Sequence, residues 1–238
     1  MKTVKRGGKS VYGASVGILM LETRFPRIPG DVGNAATWPF PVLYRIVADA
    51  SPDRVVRQGG TGLLDAFVEA GRELVRIGAD GLTTSCGFLA LQQAELTRAC
   101  GVPVATSSLM QVAAVDALLP PDKRAGILTI SQASLTERHL ALSGAPLDAP
   151  VAGTDHGREF TRVILDDEAE LDVDLARRDV VDSARGLVEE HPEVGAIVLE
   201  CTNMCPYSAD VAEAVGLPVY DFVSFVTWFQ SGLAPRRF

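Results

Sequence analysis

The chain has 238 residues, of which 47% are hydrophobic and 22% are charged, a composition typical of a globular protein with a sizeable core. Its formal net charge of -8 argues against nucleic acid or an anionic membrane as a partner, because both bind basic surfaces. No stretch approaches the roughly 18 apolar residues that cross a bilayer. We therefore expect a cytoplasmic homo-oligomer that binds a small-molecule substrate, with its four cysteines as free thiols.

Strand and helix patterns alternate along the chain. An apolar strand is predicted at 17–21 and an amphipathic helix at 63–77, and the same order returns with a strand at 126–130 and a helix at 175–190. Segment 22–41 comes directly after the first strand and contains four prolines and two glycines. It is predicted to be a long structured loop or a lid at the end of that strand.

The chain contains an internal repeat. Residues 81–104 align without a gap with residues 196–219, at an offset of 115, the difference between positions 201 and 86. The aligned pairs include Cys86 with Cys201 and Gly101 with Gly216. Each copy is predicted to be a strand, a cysteine at its end, a helix of about four turns, a glycine break and a second strand.

Such β-α-β units predict parallel sheets. We predict an α/β fold of two pseudo-symmetric flavodoxin-like halves, with the active site in the cleft between them. The first half is predicted at residues 1–115, joined by the C-terminal segment 222–238, and the second at 116–221. Because ligands of open α/β sheets bind outside the carboxyl ends of the strands, Cys86 and Cys201 are expected to approach each other there.

A buried cysteine is more often an inert core residue than a catalyst. Here the neighbouring side chains are small and polar where a core would have aliphatic ones, which favours function. One thiolate at a helix N-terminus could act as a base and the other thiol as an acid. Groups that could hold a substrate carboxylate, the last two being weaker candidates, are Thr84, Ser85, Gly87, Thr202, Asn203, Thr129 and Ser131.

The cysteine segments 84–88 (TSCGF) and 199–203 (LECTN), placed in two repeated halves, resemble the aspartate/glutamate/hydantoin racemase superfamily. The resemblance covers most of the chain and implies the two-half fold, no cofactor, and Cys86 and Cys201 as an acid/base pair. Arylmalonate decarboxylases in this group keep one of the two cysteines, so having both argues against that activity. Segment 22–31 departs from the glycine-rich loop of aspartate racemases.

The resemblance leads us to expect a cofactor-independent racemase or isomerase of a small carboxylate, such as aspartate, glutamate or a hydantoin. The alternatives are a cis-trans isomerase with one cysteine as nucleophile and a non-catalytic small-molecule binder. No metal site is predicted, because Cys201 and Cys205 lack further ligands at a suitable spacing. No lysine is well placed for pyridoxal phosphate, and no nucleotide-binding fingerprint occurs.

Three further residues are considered for a role near the site. Arg24 and Arg27 could clamp a second substrate carboxylate or could pair with Glu22 or Asp31. His139 is predicted to lie on a helix surface.

Overall fold

Two parallel sheets organise the protein, in a computed structural model that describes residues 7–236. The first sheet contains β1 (Val16–Leu21), β2 (Val42–Val47), β3 (Gly81–Thr84) and β4 (Val104–Ala105). The second contains β5 (Arg124–Thr129), β6 (Val151–Gly153), β7 (Val194–Leu199) and β8 (Val219–Tyr220). The orders β2-β1-β3-β4 and β6-β5-β7-β8 have the same connectivity. The predicted α/β fold of two pseudo-symmetric halves is confirmed.

Helices flank both sheets. They are α1 (Leu64–Ile77), α2 (Gln93–Cys100), α3 (Val112–Asp116), α4 (Glu137–Ser143), α5 (Phe160–Leu165), α6 (Val173–Glu190), α7 (Ser208–Val215) and α8 (Phe222–Leu233). Short 3-10 helices lie at Ala35–Thr37, Gly87–Gln92, Ser108–Gln111 and Cys205–Tyr207, and a π-helix lies at Asp53–Arg57. The two long helices, α1 and α6, begin one and two residues from where the sequence predicts them. Their buried residues recur at helical spacing, so each presents one apolar face to its sheet.

The repeated unit differs from its prediction in one respect. Where a single helix was expected after each cysteine, the chain forms a 3-10 helix followed by a two-turn α-helix, α2 or α7. The glycine breaks are confirmed: Gly101 and Gly216 have φ values of 68° and 69° and cap these helices in the left-handed conformation. The two copies therefore share backbone geometry as well as sequence pattern.

The last helix, α8, returns to the first sheet. Phe222 and Val226 are buried in one cluster with Val16 and Ile18 of β1. A Cβ atom at Gly81 of β3 would lie only 2.6 Å from the side chain of Leu233, so α8 also packs tightly on β3. The division of the chain at residues 115 and 116 stays a prediction.

All four cysteines are free and buried. No helix within residues 7–236 is long and apolar enough to cross a membrane.

The prediction that His139 lies on a helix surface is wrong. The side chain is 3% exposed and stacks edge-on against Phe88, with ring centroids 5.0 Å apart. Its Nδ1 accepts a hydrogen bond from the backbone N–H of Thr136 at 3.1 Å, completing a capping box at the start of α4. Burial lowers the pKa of His139 to about 4, because the imidazolium would lose its hydration there.

This burial predicts an acid-sensitive fold. The unfolded chain binds a proton at His139 near pH 6.5 and the folded chain only near pH 4, so the free energy of unfolding should fall as pH drops between these values. The loss should approach about 3 kcal/mol. His139→Gln keeps a capping side chain that does not titrate, and urea unfolding across this range should show a shallower fall. His156→Gln, at an exposed position, is the control, and an equally steep fall in His139→Gln would contradict the assignment.

Candidate active site

The two cysteines that the repeat aligns line one small cavity. Cys86 follows the carboxyl end of β3 and Cys201 follows that of β7. The cavity volume is about 20 Å³, room for roughly one water molecule, so a substrate must widen it to enter. Its walls are formed by Leu21, Phe25, Arg27, Pro52, Val56, Ser85, Cys86, Gly87, Phe88, Ile130, Ile164, Leu165, Glu200, Cys201, Thr202 and Asn203.

Cys86 lies at the N-terminus of the 3-10 helix Gly87–Gln92 and is 8% exposed. Burial, followed by the charge of Glu200, raises the pKa of its thiol to about 12. The backbone N–H of Phe88 and the charge of Arg27 act in the opposite direction. Cys86 is therefore a protonated thiol, although the N–H of Phe88 and the charge of Arg27 would both stabilise its thiolate.

Cys201 is held as a hydrogen-bond donor. Its Sγ lies 3.6 Å from Oδ1 of Asn203, while Nδ2 of Asn203 donates to Oδ2 of Asp31 at 2.6 Å. Because the carboxylate of Asp31 must face the amide NH₂, Oδ1 of Asn203 is the atom left to accept the thiol proton. Burial, followed by the charge of Glu200, raises the pKa of Cys201 well above its usual value.

The loop at 22–41 reaches this site through Asp31. Its Oδ1 accepts a hydrogen bond from Nη1 of Arg27 at 2.8 Å, while its Oδ2 accepts the one from Asn203. The sequence left open whether Arg27 pairs with an acidic side chain or faces the substrate. In the structure it pairs with Asp31 and also lines the cavity. Arg24 lies outside the cavity, where its exposed side chain pairs with Asp167.

Glu200 is a site residue that the sequence reasoning did not single out. The side chain is fully buried, Oε2 accepts a hydrogen bond from the hydroxyl of Thr129 at 2.8 Å, and Oε1 has no partner among residues 7–236. A Cβ atom at Gly87 would lie 2.1 Å from Oε1, so only glycine allows this approach. Burial raises the pKa of Glu200 to about 7. A charged residue at the end of the apolar run of β7 was the available signal.

The structure brings most of the predicted site residues together. Besides the two cysteines, the cavity is lined by Ser85, Gly87, Thr202 and Asn203. Thr84, Thr129 and Ser131 are not on its wall. Their hydroxyls bind the carbonyl oxygen of Thr106, Oε2 of Glu200 and Oγ of Ser134, respectively. Any role for these three in binding substrate stays a prediction.

Within residues 7–236, no group of three or more His, Cys, Asp or Glu side chains could hold a metal ion.

Comparison with known proteins corrects the expected activity. The chain is 29% identical over 232 residues to a dimethylsulfoniopropionate lyase of Durusdinium sp. clade D, covering 92% of this chain and 75% of that protein. It is 28% identical to dimethylsulfoniopropionate lyase 6 of Emiliania huxleyi, covering 88% of this chain and 57% of that protein. No family model matches. The racemase or isomerase activity expected from the sequence is wrong, since these relatives are lyases.

Solved structures share the fold at low sequence identity. Arylmalonate decarboxylase is 19% identical, with 92% of each chain covered and a TM-score of 0.58. A glutamate racemase isoform from Bacillus anthracis is 16% identical, with 92% of this chain and 82% of that chain covered and a TM-score of 0.59. Allantoin racemase from Pseudomonas fluorescens is 14% identical, with 92% and 90% covered and a TM-score of 0.52. The chain has the fold of the aspartate/glutamate/hydantoin racemase superfamily.

Proposed function

We propose that this protein is a lyase that cleaves the carbon–sulfur bond of dimethylsulfoniopropionate. One observation carries the proposal: a chain similar over 92% of its length to a lyase of that substrate places two thiols in one cavity. A base removes a proton from the carbon beside the carboxylate. The electron pair of that C–H bond forms the new double bond, and the adjacent C–S bond breaks with its electrons on sulfur. The products are acrylate, neutral dimethyl sulfide and a proton on the base.

Cys86 is the base in this proposal. The Sγ of Cys201 donates to Asn203, whose amide is fixed by Asp31, and this stabilises the protonated form of Cys201. Each thiol has a backbone N–H that favours the thiolate, that of Phe88 for Cys86 and that of Asn203 for Cys201. Only Cys86 also has the charge of Arg27 acting in that direction. A positively charged substrate brought beside Cys86 would favour the thiolate further.

The substrate carboxylate needs hydrogen-bond donors whose bonds to it become stronger as negative charge develops on it. The backbone N–H groups of Gly87 and Thr202 donate no hydrogen bond to another group among the described residues. Both residues line the cavity and follow a cysteine in the repeat. They are suited to hold the carboxylate and to stabilise the enolate-like charge that forms during proton abstraction.

The homo-oligomer and the small-molecule partner expected from the sequence remain proposals.

Elimination requires one base and no returned proton, which predicts unequal effects of the two cysteines. Cys86→Ala should lower kcat for release of dimethyl sulfide by roughly 10²- to 10⁴-fold, the usual contribution of a general base. Cys201→Ala should lose less, because the departing sulfide leaves as a neutral molecule. Headspace gas chromatography of dimethyl sulfide measures both rates. Cys100→Ala is the matched control, since that thiol is buried outside the cavity. A larger loss in Cys201→Ala than in Cys86→Ala would reverse the assignment.

The pH dependence should follow the thiolate. Burial holds the pKa of Cys86 near 12 in the free enzyme, so the fraction of ionised base increases with every step in pH below that value. We therefore expect kcat/KM to rise from pH 6 to pH 9 after the uncatalysed elimination in alkali has been subtracted. Circular dichroism at each pH checks that the fold persists. A profile that falls above pH 7 in folded protein would show that a protonated group is required instead.

A further inference from the structure

Two buried polar atoms, on cavity-lining residues of opposite charge, have no hydrogen-bond partner among the described residues. They are Oε1 of Glu200 and Nε of Arg27. The Arg27 side chain is 12% exposed and that of Glu200 is fully buried. A buried ionisable group with an unsatisfied hydrogen-bonding atom is unfavourable for folding. Two such groups of opposite charge around one small cavity indicate a ligand that carries both a positive and a negative charge.

Of these two residues, Glu200 has fewer groups of the protein that stabilise its charge. Its single hydrogen bond comes from Thr129. Other groups that act on it, Cys86 and Cys201, are neutral thiols whose ionisation Glu200 opposes. Arg27 neutralises a different carboxylate, that of Asp31, through an ion pair of 2.8 Å. Among residues 7–236, Glu200 therefore has a single hydrogen bond from a neutral hydroxyl and no ion pair to neutralise its charge.

A sulfonium or quaternary ammonium group fits this environment. Such a cation has no N–H or O–H to donate, so it gains from a nearby carboxylate oxygen without a hydrogen bond, and its methyl groups require apolar contacts. The wall supplies these contacts from Leu21, Val56, Phe88, Ile164 and Leu165, and an aromatic ring such as that of Phe88 attracts onium groups.

We propose that Glu200 is the counter-ion of an onium group on the substrate, so that the site selects carboxylates that carry such a cation over uncharged molecules of the same shape. The proposal rests on the proposed lyase function for its substrate class. Nε of Arg27, the other buried polar atom without a partner among the described residues, donates to the carboxylate. Binding of the cation also removes the repulsion between Glu200 and an ionising Cys86, which couples recognition to formation of the base.

The selectivity should depend on pH in a defined direction. The groups that act on or contact Glu200 are Thr129, Gly87, Cys86 and Cys201, and Arg27 also lines the cavity. Its carboxyl group has a pKa of about 7, so it is charged above that pH and neutral below it. Preference for the cation should therefore be larger at pH 8 than at pH 6.

Two ligands of equal shape test the proposal by binding alone. The probes are 3-(trimethylammonio)propanoate and 4,4-dimethylpentanoate, which differ in having a quaternary nitrogen or carbon at the same place. Isothermal titration calorimetry on the full chain at pH 8 should give at least a tenfold lower Kd for the cation. Glu200→Gln keeps the size of the side chain and an oxygen for Thr129, and it should bring the ratio of the two Kd values close to one. Glu213→Gln removes an exposed charge elsewhere and should leave the ratio unchanged.

The outcomes separate this proposal from the lyase function. A preserved preference in Glu200→Gln, or binding of neither probe to wild-type protein, would overturn the counter-ion role. So would a Glu200→Gln variant that cleaves dimethylsulfoniopropionate with unchanged KM and a lower kcat, because Glu200 would then act in the chemistry. If the cation is preferred through Glu200 but dimethylsulfoniopropionate is not cleaved, the counter-ion role stands and the lyase function fails.

Discussion

The site depends on the contact between the chain segments that leave β3 and β7. The hydroxyl of Thr202 donates to the carbonyl oxygen of Ser85 at 2.7 Å, and the hydroxyl of Ser108 donates to that of Leu199 at 2.6 Å. The first of these buried hydrogen bonds joins the segments that leave β3 and β7, and the second joins the segment after β4 to the end of β7. Losing either would leave a buried carbonyl oxygen without this partner. These hydrogen bonds bring the strand ends so close that position 87 has no room for a side chain.

A chain of polar contacts extends from this junction into the first loop. It runs from the thiol of Cys201 through Asn203 and Asp31 to Arg27. Each member orients the next: the carboxylate of Asp31 fixes the amide of Asn203, and the amide sets the role of the thiol. Arg27 belongs to this series of polar contacts and also lines the cavity. Movement of the loop would therefore change the electrostatic effect of Arg27 on the thiol of Cys86. The loop is therefore part of the site and not only its cover.

In the proposed mechanism, proton abstraction is a step that an isomerase and a lyase can share. This first step is the same whether the carbanion-like intermediate is protonated again or expels a group from the next carbon. The outcome depends on whether the substrate carries a leaving group there and on whether an acid returns the proton. Paired cysteines at strand ends indicate only the first step. The expectation of an isomerase was wrong for this reason, since substrate recognition lies in other residues.

The amino-acid sequence by itself determined the repeat, and with it the parallel sheets, the equivalence of Cys86 and Cys201 and their place at the ends of β3 and β7. These follow from local periodicity and from the left-handed turns at Gly101 and Gly216, which depend on neighbours in the chain. Only the tertiary structure decided the charges of the cavity. Glu200 and Gly87 are 113 positions apart, the difference between their numbers, as Asn203 and Asp31 are 172 apart. Such contacts and the pKa shifts that burial causes arise only when the two halves pack, because desolvation depends on everything that surrounds a group in space.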